Sequence, residues 1–135
     1  MENYTLDHDI FLVCMQATSF PDGVQHAFEK LLKTDPSFAN RALYGISRGS
    51  NNGIVYWAAV EEAYRGEGYT LGLDQYTVKK GIYASEKLTN ISGNEMRIGR
   101  TFEKLLQHPA LDPLGECVER YTGADEVVCM VRLKE

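Results

Sequence analysis

The pentapeptide Phe28-Glu29-Lys30-Leu31-Leu32 returns unchanged as Phe102-Glu103-Lys104-Leu105-Leu106, 74 positions later in a chain of 135 residues. A displacement of slightly more than half the chain is where a duplicated unit recurs, and the same offset carries Val24 onto Ile98. Each copy has apolar residues at i, i+4, i+7 and i+8 (Val24, Phe28, Leu31, Leu32; Ile98, Phe102, Leu105, Leu106), the stripe of an amphipathic helix. Asp22 stands three residues ahead of Gln25 and Ser92 three ahead of Glu95, the spacing of a capping box. Thr34-Asp35-Pro36 and His108-Pro109 supply the stops, because proline lacks the N–H that would continue the ladder. These signals predict helices over 22–34 and 93–107.

Strand-like runs surround both helices. Ile10 to Thr18 precedes the first, and Ala42 to Arg48 and Gly53 to Tyr64 follow it around an Asn52-Gly53 hairpin signal. Tyr76 to Ser85 precedes the second, and Glu116 to Tyr121 and Val127 to Leu133 follow around Gly123-Ala124-Asp125. The order strand, helix, strand, strand, twice, predicts an α+β fold in one domain spanning 1–135: one antiparallel sheet, both helices packed on one face, and a ligand groove on the other.

Fourteen basic against nineteen acidic residues give a net charge of −5, which repels nucleic acid and argues against direct binding to it. Cys14, Cys117 and Cys129 lie in apolar strand-like runs without metal-ligand spacing and read as reduced core residues of a cytoplasmic protein. Phe11-Leu12-Val13-Cys14-Met15 follows Asp7 and Asp9 rather than a basic region, and no apolar run is long enough to span a bilayer. His8, His26 and His108 are scattered, so neither a metal nor another cofactor is expected. Gly66-Glu67-Gly68 lacks the following helix of a phosphate loop and reads as a mobile connection. Glu61-Glu62 with Arg65 reads as a solvated strand end, and Lys79-Lys80 and Arg97 to Arg100 as a turn and an exposed helix face.

One residue breaks the strand period. In an extended Cys117-Val118-Glu119-Arg120-Tyr121 the Glu119 carboxylate shares a face with Cys117 and Tyr121, where apolar groups belong. Such a carboxylate is costly unless paired, so it either waits for a positively charged ligand, lies at a solvated edge, or pairs with Arg97 or Arg100. Tyr44, Tyr56, Trp57, Tyr83 and Tyr121 all fall on expected strands. Rings with a polar tip suit a half-open pocket for flat or cationic molecules, and they are also good strand formers.

Several motifs resemble the GyrI-like small-molecule-binding domain, the effector-binding domain of bacterial multidrug-responsive transcription regulators. They are Tyr44-Gly45-Ile46, Val55 to Glu61, Lys80-Gly81-Ile82-Tyr83-Ala84 and Glu119-Arg120-Tyr121, and together they span nearly the whole chain. The resemblance implies binding of small cationic or aromatic molecules in a groove between two pseudo-symmetric halves. Glu119 would be the counter-charge, Trp57, Tyr83 and Tyr121 the walls, and Tyr44, Tyr56 and Phe102 further lining. Phe102 stands where many members carry a tryptophan, which implies a reshaped pocket. It also implies two alternatives. One is a hydrolase of strained electrophiles, with Glu119 as general base and Tyr121 as proton donor. The other is a protein-interaction module, such as a topoisomerase-inhibitory or regulator-binding partner. Non-enzymatic binding of a small molecule is the leading expectation.

Overall fold

The computed structural model describes residues Met1–Glu135 and bears out the α+β class, with eight antiparallel strands and three helices. The first repeat is β1 (Glu2–Leu6), β2 (Ile10–Gln16), α1 (Val24–Thr34), β3 (Leu43–Ser50) and β4 (Gly53–Glu61). A single helical turn, α2 (Glu67–Thr70), leads to the second: β5 (Asp74–Val78), β6 (Gly81–Thr89), α3 (Met96–Leu105), β7 (Cys117–Gly123) and β8 (Glu126–Arg132). Each repeat therefore has a leading strand beyond the expected strand, helix, strand, strand. The run from Tyr76 to Ser85, expected as one strand, is broken between β5 and β6. Gly81 takes a φ of +146°, and the Lys80 N–H turns aside to donate to Asp9 Oδ1 at 2.8 Å.

The chain divides into two compact units, Ile10–Val78 and Met1–Asp9 with Lys79–Glu135. In the first the strand order is β3-β4-β2-β5, and in the second β7-β8-β6-β1. These are the same order when the repeats are matched element by element, with one exchange. β5 pairs with β2 of the first repeat (Ile10↔Val78, Cys14↔Asp74), and β1 pairs with β6 of the second (Glu2↔Ser85, Leu6↔Gly81).

Within each unit the pentapeptide helix covers one sheet face. Ala27 and Leu31 of α1 pack on Val13, Ala58 and Val60, with Phe38 closing the cluster. Phe102 and Leu105 of α3 pack on Ala84, Leu88, Val127, Cys129 and Val131. Leu31 and Leu105 are fully buried, each worth roughly 2 kcal/mol in apolar transfer. The stripe read from the sequence is thus the core face of both helices, except at Leu106, which caps α3 and is 45% exposed.

Two local expectations are corrected. The capping boxes do not form: the helices start later than expected, at Val24 and Met96, and neither N-cap residue, Gly23 or Glu95, makes a side-chain cap bond. The Ser92 N–H instead donates to Asp125 Oδ1 at 2.6 Å, fixing the approach to α3. Nor is Gly66-Glu67-Gly68 a loose connection. Gly66, at φ +90°, turns the chain into α2, and Arg41 grips the buried Glu67 carboxylate through two bonds of 2.6 and 2.9 Å. The Ala63 N–H adds a third at 2.9 Å. This bidentate geometry holds the Glu67 carboxyl below its usual range, the hydrogen bond from Arg41 being the main cause. The neighbouring Glu62 side chain, expected as solvated, is itself buried and paired with Arg65 at 2.7 Å. No helix is long and apolar enough to cross a membrane.

Candidate functional site

Alternation along β7 places Glu119 as the sequence reading expects, and pairing with β8 identifies its surroundings. Cys117 lies opposite Val131, Glu119 opposite Cys129, and Tyr121 opposite Val127. Residues directly opposite in an antiparallel pair share a face. Val127, Cys129 and Val131 belong to the cluster beneath Phe102 and Leu105, and Cys117 and Tyr121 pack against it. Glu119 therefore lies on the helix-bearing face of its unit, only 5% exposed. The sequence pattern predicts helices on one face of the sheet and the acidic groove on the other; in this unit the two faces are one. A site built on Glu119 is beside α3.

The hydrogen-bond partner of the carboxylate is not Arg97, whose guanidinium donates to the Thr89 carbonyl at 2.7 Å. One partner is the Tyr121 hydroxyl, which donates to Glu119 Oε1 at 2.5 Å, the length of a charge-assisted bond. Tyr121 is half-buried, and its ring packs against the apolar cluster.

A second carboxylate shares this face. Glu86 on β6 lies opposite Cys129 from the other side, so Glu86, Cys129 and Glu119 form a row across three neighbouring strands. Two strand spacings put the carboxylate-bearing positions about 10 Å apart. Lys104 Nζ of α3 sits 2.5 Å from Glu86 Oε1, with the N-terminal amine at 3.7 Å. Lys104 above all holds the Glu86 carboxyl below the ordinary range. Between the two acids the Cys129 thiol is pushed up to about 12, by burial first and then by the charges of Glu119 and Glu86. Sequence reasoning missed Glu86. The signal was present, a glutamate between the inward-facing Ala84 and Leu88, but the strand was read as ending at Ser85.

The remaining expected residues do not all converge. Phe102 is in the cluster on the Glu119 face. Tyr83 is not: it neighbours the inward Ala84 and so points to the opposite face, buried, its hydroxyl donating to the Lys79 carbonyl at 2.5 Å. Burial pushes that hydroxyl's pKa up. In the Ile10–Val78 unit, Tyr56 is on the helix-bearing face, its ring 5.7 Å from Phe20 and 6.3 Å from Phe28. Trp57 and Tyr44 are on the reverse face of that unit, Trp57 beneath the Arg48 guanidinium at 5.3 Å and Tyr44 donating to Glu61 Oε1 at 3.3 Å. Glu119, Tyr121 and Phe102 are thus the expected site residues that share one face of one unit, and Glu86 and Lys104 join them.

Fold and face together define an α+β domain of paired repeats carrying an acidic row against a helix. No family profile matches the chain, and no curated protein matches it in sequence. Solved structures do match it. One is SAV2435 bound to tetraphenylphosphonium, at 13% identity and a TM-score of 0.67, covering 98% of this chain and 93% of that one. Another is the integron cassette protein VCH_CASS2 from the mobile metagenome of Vibrio cholerae, at 13% identity and a TM-score of 0.70, covering 98% and 95%. A third is a Staphylococcus aureus MU50 protein, named for bacterial transcription regulation, at 14% identity and a TM-score of 0.58, covering 97% of each chain. At these identities the likeness is one of fold.

Proposed function

We propose that this chain is a GyrI-like small-molecule-binding domain that takes up small organic cations with aromatic bodies on the helix-bearing face around Glu119. The observation that carries the reading is a carboxylate 5% exposed on an apolar face, to which a tyrosine hydroxyl donates. Removing a carboxylate from water is costly, and a lipophilic cation offsets that cost while its rings replace water against apolar side chains. Tyr121 and Phe102 supply ring surface, adding roughly 0.5–2 kcal/mol per ring that faces the cation. Tetraphenylphosphonium, the ligand of SAV2435, has this chemistry.

Hydrolysis fits the same residues less well. Tyr121 directs its proton onto Glu119, so that bond would have to break before either group reached a substrate. Binding needs no such step.

Calorimetric titration of tetraphenylphosphonium into the wild type and Glu119→Gln tests the reading. A dissociation constant of micromolar order is expected for the wild type, weakened at least about tenfold in the variant. Equal affinity in a variant of unchanged circular dichroism, or no binding by the wild type, would overturn it.

A further inference from the structure

The Ile10–Val78 unit buries a carboxylate that is half satisfied. Glu62 follows β4, and its N–H donates to the Phe11 carbonyl at 3.0 Å, so the two residues extend the helix-bearing face beyond Val60 and Val13. The matching bond recurs in the other unit, where the Leu133 N–H donates to the Ile82 carbonyl at 2.9 Å. Leu133 is part of the core, whereas its counterpart is a glutamate whose side chain is 5% exposed. Glu62 Oε1 accepts from Arg65 at 2.7 Å, and the buried Oε2 has no hydrogen-bond partner. Glu67, in the same unit, has both oxygens engaged by Arg41.

Arg65 is loosely held by comparison. Its side chain is 66% exposed and reaches Glu62 through one nitrogen, with the guanidinium carbon 3.7 Å from the centre of the Phe11 ring. A carboxylate beside a ring face is the chemistry that receives a guanidinium. We infer that Glu62 and Phe11 form a guanidinium slot, filled by Arg65 and open to exchange with the guanidinium of a ligand that engages both carboxylate oxygens. The ligand takes the space of an exposed side chain, so no further cavity is needed. A fork of two parallel N–H donors gives Oε2 the partner that Arg65 does not, and a buried acceptor left unpaired is costly. An ammonium is a point charge and cannot fork in this way. The slot uses neither Glu119 nor Tyr121, so it stands independently of the function proposed above.

The test is an NMR titration of the full chain with methylguanidinium, Nα-acetyl-arginine amide and Nα-acetyl-lysine amide, following the backbone amides of Phe11 and Glu62. The wild type is expected to bind both guanidinium compounds with dissociation constants of millimolar order, and Arg65→Ala to bind them roughly tenfold more tightly, its internal competitor being gone. The lysine compound should bind Arg65→Ala at least about fivefold more weakly than the arginine compound. Equal affinity for the two guanidinium compounds identifies a small free cation as sufficient, and tighter binding of the arginine amide identifies an arginine within a peptide. Adding Glu62→Gln to Arg65→Ala should remove the gain, and adding Glu119→Gln should leave it unchanged. No gain in Arg65→Ala, equal binding of the lysine compound, or a gain that survives Glu62→Gln overturns the inference. None of these outcomes bears on tetraphenylphosphonium binding at Glu119, which its own titration decides.

Discussion

Two rows of three residues occupy matching places in the two units. One is Gly45, Ala58 and Met15 across β3, β4 and β2; the other is Glu119, Cys129 and Glu86 across β7, β8 and β6. Both lie on the face their pentapeptide helix covers, and flanking positions match in kind, Val60 with Val131 and Val13 with Ala84. The rows differ in size and charge, uncharged throughout in one unit and doubly acidic in the other. Duplication here keeps what packs a helix onto a sheet and releases the positions between. The Ile10–Val78 unit does hold a buried charge, but at the Arg41–Glu67 pair, where it pins α2.

Transplanting the difference is the hardest test of it. Gly45→Glu puts a carboxylate into the apolar row among residues chosen for packing, and should destabilise the protein by about 4 kcal/mol, read as a lower urea midpoint. Arg41→Ala comes next. It strands the Glu67 carboxylate and should cost about 3 kcal/mol, with faster amide exchange over Glu67–Thr70. Because the folded carboxyl of Glu67 lies below its ordinary value of 4.5, the contribution of the pair is full above that pH and is lost as pH falls through the lower, folded value. The gap between wild type and Arg41→Ala should accordingly close in acid. Glu119→Gln is expected to change stability by less than about 1 kcal/mol while losing at least about tenfold in cation affinity, the signature of a group kept for binding. The smallest contrast is within the repeat itself. Lys104→Met should cost about 0.5 kcal/mol through Glu86, and Lys30→Met, on an exposed face, close to nothing.

What was legible in the sequence followed the strength of local periodicity. The helices announced themselves because the stripe ending in Leu31 and Leu105 repeats over three turns, and the Asn52-Gly53 hairpin because positive φ there needs such residues. The leading strands were hidden for opposite reasons. β1 is a short, largely exposed edge whose sequence alternates weakly, and β5 runs into β6 through residues that keep a strand-like composition across the Gly81 break. Losing that break shortened β6 and removed Glu86 from view. α2 escaped because a four-residue helix has no period to read; its anchor, Arg41, is 26 positions away and only the fold brings it to Glu67. Glu119 was legible because it violates a period of two, and Tyr121 because it shares that period. Which faces Trp57, Tyr44 and Tyr83 take depends on register, which hydropathy does not state.

The exchange of leading strands has a bearing on where this chain can be divided. A cut in the connection after β4 yields two fragments that look like whole repeats, yet each carries the edge strand that closes the other's sheet: β1 leaves with the first and belongs on β6, β5 leaves with the second and belongs on β2. Each piece alone would expose an unpaired strand edge, which favours aggregation, whereas mixing them would restore both pairings at once. The repeat seen in the sequence is therefore not the unit that folds, and reciprocal complementation of the halves is built into the order of the strands.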